Sequence, residues 1–175
     1  MIHMTRHRLL VAILVLGGLL VSGLCHAKYS DRQLTEAYLT EDMALWDSYL
    51  QDTPWEQADN KERARILLYE YGYIPYLFSV GDTATCSRHY DRYIQHIEQH
   101  KEQLPHAAYC AYRSAGHAYA HMLKKGGMMD AIRSLRLAQE AVKSDSLQPL
   151  VLYNRGNVYY HAPSFVGGSK RKALE

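Results

Sequence analysis

Phenylalanine is nearly missing from this 175-residue chain: it has two, beside two tryptophans and fifteen tyrosines. A core built on aromatics must therefore use tyrosine, which pairs a large apolar body with a hydroxyl that needs a partner or water. Cysteine is scarce at three, which excludes a disulfide-stapled scaffold. Charge of one sign is also lacking. Removing Arg6 and Arg8 with the first 27 residues leaves 18 basic against 18 acidic side chains. That balance excludes the basic surplus a nucleic-acid partner would require. Outside the N-terminus no segment alternates as a strand does, and none is long and apolar enough to suggest a membrane span. There is no Gly-x-Ser-x-Gly, no phosphate-cradling glycine loop and no evident pair of catalytic carboxylates, so no enzyme activity is expected.

The N-terminus has the pattern of an export leader. Arg6, His7 and Arg8 precede an apolar run from Leu9 to Val21, and Cys25-His26-Ala27 suits cleavage after Ala27. An uncleaved anchor or a lipid attached at Cys25 are the alternatives, although bulky Leu24 disfavours the second. The expected localisation is therefore periplasmic or secreted, with a membrane reached only through such an anchor. After cleavage, residues 28–175 form one helical domain in which Cys86 and Cys110 are expected to stay unpaired. If the helices around Leu104-Pro105 form a hairpin, the two thiols are offset by 12 residues along it. That is about 18 Å, against the roughly 7 Å a bridge can span.

A phrase occurs twice. Leu68-Tyr69-x-x-Gly72-x-x-x-Tyr76 returns as Leu152-Tyr153-x-x-Gly156-x-x-x-Tyr160, with a weaker copy, Tyr112-x-x-x-Gly116-x-x-Tyr119, between them. The glycines lie 44 and then 40 residues apart. A period near 40 with helical patterning predicts stacked helical hairpins. Helices are predicted over about 31–51, 54–80 (opened by Thr53-Pro54 and kinked at Pro75), 84–103, 105–124, 129–143 and 150–161. A seventh begins at Ser169 and reaches only Glu175, which suggests a chain truncated within it.

Leu152-x-x-x-Gly156-x-x-Tyr159, and Ser134-x-x-x-Ala138-x-x-Ala141 followed by Asp145, resemble the first- and second-helix signatures of tetratricopeptide-repeat proteins. Pro163-x-Phe165-x-Gly167-Gly168-x-x-x-Lys172-Ala173 resembles a loop of exported bacterial repeat proteins of that kind. The repeat here is longer than that family's usual ~34 residues, and Ser146 stands where the family has proline. The resemblance implies an all-α fold, a right-handed stack of antiparallel hairpins forming an α-solenoid. It further implies that the first helix of each hairpin lines a concave groove. Carried onto this chain, the groove face holds Tyr69, Tyr73 and Tyr76; Arg113, His117 and His121; and Tyr153, Asn157 and His161. The core face then holds Leu68 and Gly72; Tyr112, Ala115, Gly116 and Tyr119; and Leu152, Gly156 and Tyr159.

The function so implied is binding of a protein or peptide partner. A small molecule, held by an accessory protein of an uptake system, is the alternative. A histidine-based metal site, drawn from His117, His121, His89 and Cys86, ranks behind both, because it needs His117 and His121 to face the wrong way for the groove. No cofactor is expected.

Overall fold

The computed structural model describes residues 29–174, so the leader and its cleavage site lie outside the described residues. Every regular element among them is helical. The helices are α1 (Asp31–Leu39), α2 (Ala44–Asp52), α3 (Asn60–Ser79), α4 (Thr83–Gln99), α5 (His106–Met122), α6 (Met128–Ser144), α7 (Pro149–His161) and α8 (Lys170–Leu174). Short three-ten turns at Trp55–Gln57, Lys101–Gln103 and Ser164–Val166 punctuate them. The chain divides into two compact units, one ending at Tyr49 and one beginning at Leu50.

In the first unit the single helix expected over 31–51 is broken. Thr40 ends α1, and Glu41 takes a left-handed conformation at φ 60°. The break lets the chain turn back on itself. Trp46 Nε1 then donates to the Leu34 carbonyl at 2.6 Å, and the Trp46 ring stacks on Tyr38. Burying the tryptophan with its N–H satisfied outweighs the left-handed strain at one residue.

In the second unit, α3 to α7 are the five consecutive helices expected between residues 54 and 161. They run antiparallel. Glu70 of α3 meets Arg92 and His96 of α4, while Ile74 further along α3 meets Cys86, nearer the start of α4. Likewise His106, Ser114 and His117 of α5 meet Glu140, Ser134 and Asp130 of α6 in descending order. The small residues Ser134, Ala138 and Ala141 are buried, as expected of a close helix contact. Ser114 Oγ donates to the Ser134 carbonyl at 2.8 Å across it.

The start of α3 departs from expectation. Asp59, not Thr53, caps it by accepting the Glu62 N–H at 2.8 Å. Trp55 explains the shift. Its ring is buried, flat against His96 at 4.0 Å between centroids, and its carbonyl accepts from Arg63 Nε at 3.2 Å. Holding Trp55 there requires a turn rather than a first helical turn.

Both glycines expected at helix contacts are there. A Cβ on Gly116 would lie 2.6 Å from Ile94 Cδ1 of α4, and one on Gly156 would lie 3.3 Å from the Ala173 carbonyl of α8. The leucines of the repeated phrase are a correction: Leu68 and Leu152 are exposed. The buried face runs one residue upstream in each copy, through Leu67, Tyr71 and Ile74 in α3 and through Val151 and Val158 in α7. The same register places a buried polar residue two positions before each repeat glycine: Glu70, Ser114 and Asn154.

Candidate functional site

Pro75 organises the centre of the second unit. Lacking an N–H, it leaves the Tyr71 carbonyl, four residues earlier, without its helical donor. The Tyr119 hydroxyl of α5 fills the vacancy at 2.7 Å. Around this bond five tyrosine rings meet in edge and tilted pairs. Tyr71 lies 6.2 Å from both Tyr112 and Tyr119 and 6.0 Å from Tyr153, and Tyr93 lies 6.3 Å and 6.0 Å from Tyr112 and Tyr119. Tyr93 donates its hydroxyl to the Tyr112 carbonyl at 2.9 Å. Asn157 Nδ2 of α7 donates to the Tyr71 hydroxyl at 3.5 Å. Helices α3, α5 and α7 thus meet directly at Tyr71. Burial raises the Tyr71, Tyr93, Tyr112 and Tyr119 phenols well above the ordinary value near 10.

The nine residues expected to line the groove divide among different surroundings. Tyr69 and Tyr73 are buried, which corrects their expected placement. Tyr69 carries the Arg65 guanidinium over its ring, and Tyr73 packs between Tyr76 and His89. The reason is the tyrosine excess itself. With so little phenylalanine, these rings serve as core. Tyr76 is half-buried, whereas Tyr153 is 59% exposed and His121 and His161 are exposed.

Arg113 pairs with Glu98 of α4 at 3.2 Å, and His117 Nδ1 lies 2.9 Å from Asp130 of α6. The His117 bond, and then the Gly127 N–H, hold the Asp130 carboxyl below its ordinary range. These two groove candidates therefore tie α5 to its neighbours on both sides. Tyr153 and Asn157 remain together beside Tyr71, with exposed Leu152 on the same helix.

The four residues weighed as a metal set do not converge. His117 holds Asp130, His121 is exposed, His89 Nδ1 lies 3.0 Å from Arg92, and Cys86 donates its thiol to the Ile74 carbonyl at 3.3 Å. Cys86 and Cys110 are free, as expected. Metal-ligating atoms converge elsewhere, at His106, Cys110 and Glu140, all within 4.8 Å of one another.

A second unexpected constellation is buried. Glu70 is fully enclosed and accepts from Arg92 Nε at 2.7 Å and from His96 Nδ1 at 2.9 Å. Since a carboxylate only accepts, the His96 proton sits on Nδ1, while the ring face lies on Trp55. Arg92 in turn reaches His89. The sequence signal for this network is a glutamate one residue from a core stripe and a histidine–arginine pair at i, i+4 on the next helix.

No family model matches this chain, and neither does any curated protein or solved structure. The fold and site accordingly define a class on their own terms: an all-helical protein whose helices pack against each other, with no strand among the described residues and none of their helices long and apolar enough to cross a membrane.

Proposed function

We propose that this chain is an exported helical-repeat binding protein that recognises a protein or peptide partner on the side where α3, α5 and α7 adjoin. The observation that supports it most is the Tyr71 junction. It brings together the first helices of three successive hairpins, the arrangement in which the resemblance places a concave binding surface. The leader-like N-terminus supports export to the periplasm or beyond.

On this reading Tyr153 is the central anchor, with half-buried Asn157 one turn along the same helix, and half-buried Tyr76 belongs to the neighbouring α3. An exposed tyrosine backed by other rings offers a large contact area at little loss of rotamer freedom. Asn157 offers a carbonyl oxygen and an amide suited to a partner's backbone. Arg113 supplies a cation that can exchange Glu98, itself half-exposed, for a carboxylate on the partner. The partner so described is an extended peptide with an apolar side chain near an acidic group.

A random-peptide display library panned on the full chain tests this. We expect enrichment of such a consensus, and weakening of its binding by about tenfold or more in Tyr153→Ala, a loss of about 1.4 kcal/mol. Arg136→Ala, at an exposed position of α6, should leave binding unchanged. Failure to enrich any consensus, or binding indifferent to Tyr153→Ala, would overturn the proposal.

A further inference from the structure

We propose that His106, Cys110 and Glu140 form a zinc-binding site joining the start of α5 to the last part of α6. His106 and Cys110 are four residues apart on α5, so they project from one face, one turn apart. Glu140 reaches them from the antiparallel neighbour. His106 Nε2 lies 3.5 Å from Cys110 Sγ and 3.0 Å from Glu140 Oε1. In a tetrahedral zinc centre, with bonds of about 2.3 Å to sulfur and about 2.0 Å to nitrogen or oxygen, neighbouring donors lie about 3.3–3.5 Å apart. The two separations from His106 therefore already stand near ligand spacing, the Cys110 and Glu140 donors lie within 4.8 Å of each other, and rotation of the exposed Glu140 and His106 side chains closes that third separation.

The donor types agree. Imidazole, thiolate and carboxylate are the three groups zinc accepts, and a thiolate disfavours magnesium and calcium. Charge agrees as well. Zinc loses its two positive charges against one thiolate and one carboxylate. On binding, the thiol proton leaves to solvent, and the imidazole proton moves from Nε2 to Nδ1. The fourth position belongs to water, since His106 and Glu140 are both open to solvent. Behind the thiol, Ala107, Ala111, Ala141 and Val151 form a dry apolar wall, which keeps the sulfur in place.

The alternative is a plain hydrogen bond between His106 and Glu140. The thiol distinguishes the two, because a helix-to-helix tie has no use for a third ligand at coordination distance. The site is separate from the proposed binding face and stands or falls independently of it.

Cobalt(II) is the probe, because it substitutes for zinc and shows a thiolate-to-metal charge-transfer band with intense tetrahedral visible bands. We expect the chelator-stripped full chain to bind one cobalt with that spectrum, zinc to displace it, and zinc to raise the melting temperature through preferential binding to the folded state. Cys110→Ser should abolish the charge-transfer band. His106→Gln and Glu140→Gln, both at exposed positions that leave folding intact, should each weaken zinc binding by more than about tenfold. His117→Gln should change nothing. An absence of metal binding at millimolar zinc would overturn the proposal. So would a charge-transfer band that survives Cys110→Ser, or one lost instead in Cys86→Ser or Cys25→Ser.

Discussion

Between pH 9 and pH 12 this chain should lose most of its stability. The cause is the set of four enclosed phenols. Tyr71, Tyr93, Tyr112 and Tyr119 all have their ionisation pushed upward, chiefly by burial. In the unfolded chain the same groups ionise near 10. The sign follows from proton counts. Above that value the unfolded state holds fewer protons than the folded state, so unfolding free energy falls as pH rises. The stabilisation is complete below about pH 10 and is lost progressively above it, toward the folded-state values. Each tyrosine contributes a slope of about 1.4 kcal/mol per pH unit once its unfolded form is ionised, so four give about 5 kcal/mol per unit.

Domains of this size are stable by about 5–15 kcal/mol, so unfolding should be complete within two or three units. The thiols of Cys86 and Cys110, the latter pushed up to about 11, act in the same direction. Urea denaturation at closely spaced pH values measures the slope directly, and Tyr93→Phe should reduce it by about one quarter. A stability that stays flat from pH 9 to pH 11.5 would contradict the enclosure of these rings.

Glu70→Ala should destabilise the chain by about 3 kcal/mol. Removing one partner of a buried ion pair typically costs 3–5 kcal/mol, because the remaining charge is left uncompensated. The lower end applies here, since the Arg92 side chain is 34% exposed and can turn to water. His96 cannot follow, because it is enclosed under Trp55. Glu70→Gln keeps one acceptor oxygen for Arg92, with its amide NH2 met by His96 only if the ring proton moves to Nε2, and should cost less than Glu70→Ala, while Arg92→Ala should fall between them. These values come from urea denaturation at pH 7. A cost below about 1 kcal/mol for Glu70→Ala would mean the triad is not held as described.

The helical class was legible because the apolar residues recur at helical spacing and breakers separate them. Gly116 and Gly156 announced helix contacts correctly, since a helix interior that tolerates glycine usually gains a close approach from it. Side-chain direction was less legible. One residue is about 100° around a helix, and choosing Leu68 over Leu67 moved the whole predicted groove face of α3 around the helix. This placed Tyr69 and Tyr73 on the outside. Tyrosine made the choice ambiguous, because it suits a core and a wet groove equally well.

The α1–α2 break was invisible, because no glycine or proline marks Glu41. The Glu70 network and the His106–Cys110–Glu140 group were missed for a different reason. Both depend on pairing between helices, which spacing within one helix does not reveal. His106-x-x-x-Cys110 was visible as a one-face pair, but nothing in the sequence placed Glu140 opposite it.

The meeting of α3 and α7 rests on contact between Tyr71 and Tyr153, which are 82 positions apart and brought together only if the two helices adjoin. A double-mutant cycle with Tyr71→Leu, Tyr153→Leu and the pair tests that contact with little interference from each ring's other neighbours. Edge-to-face rings at this spacing should show a coupling of about 0.5–1.5 kcal/mol in unfolding free energy. Additivity to within about 0.3 kcal/mol would mean the two rings do not meet. The binding face proposed around Tyr153 would then have no physical basis.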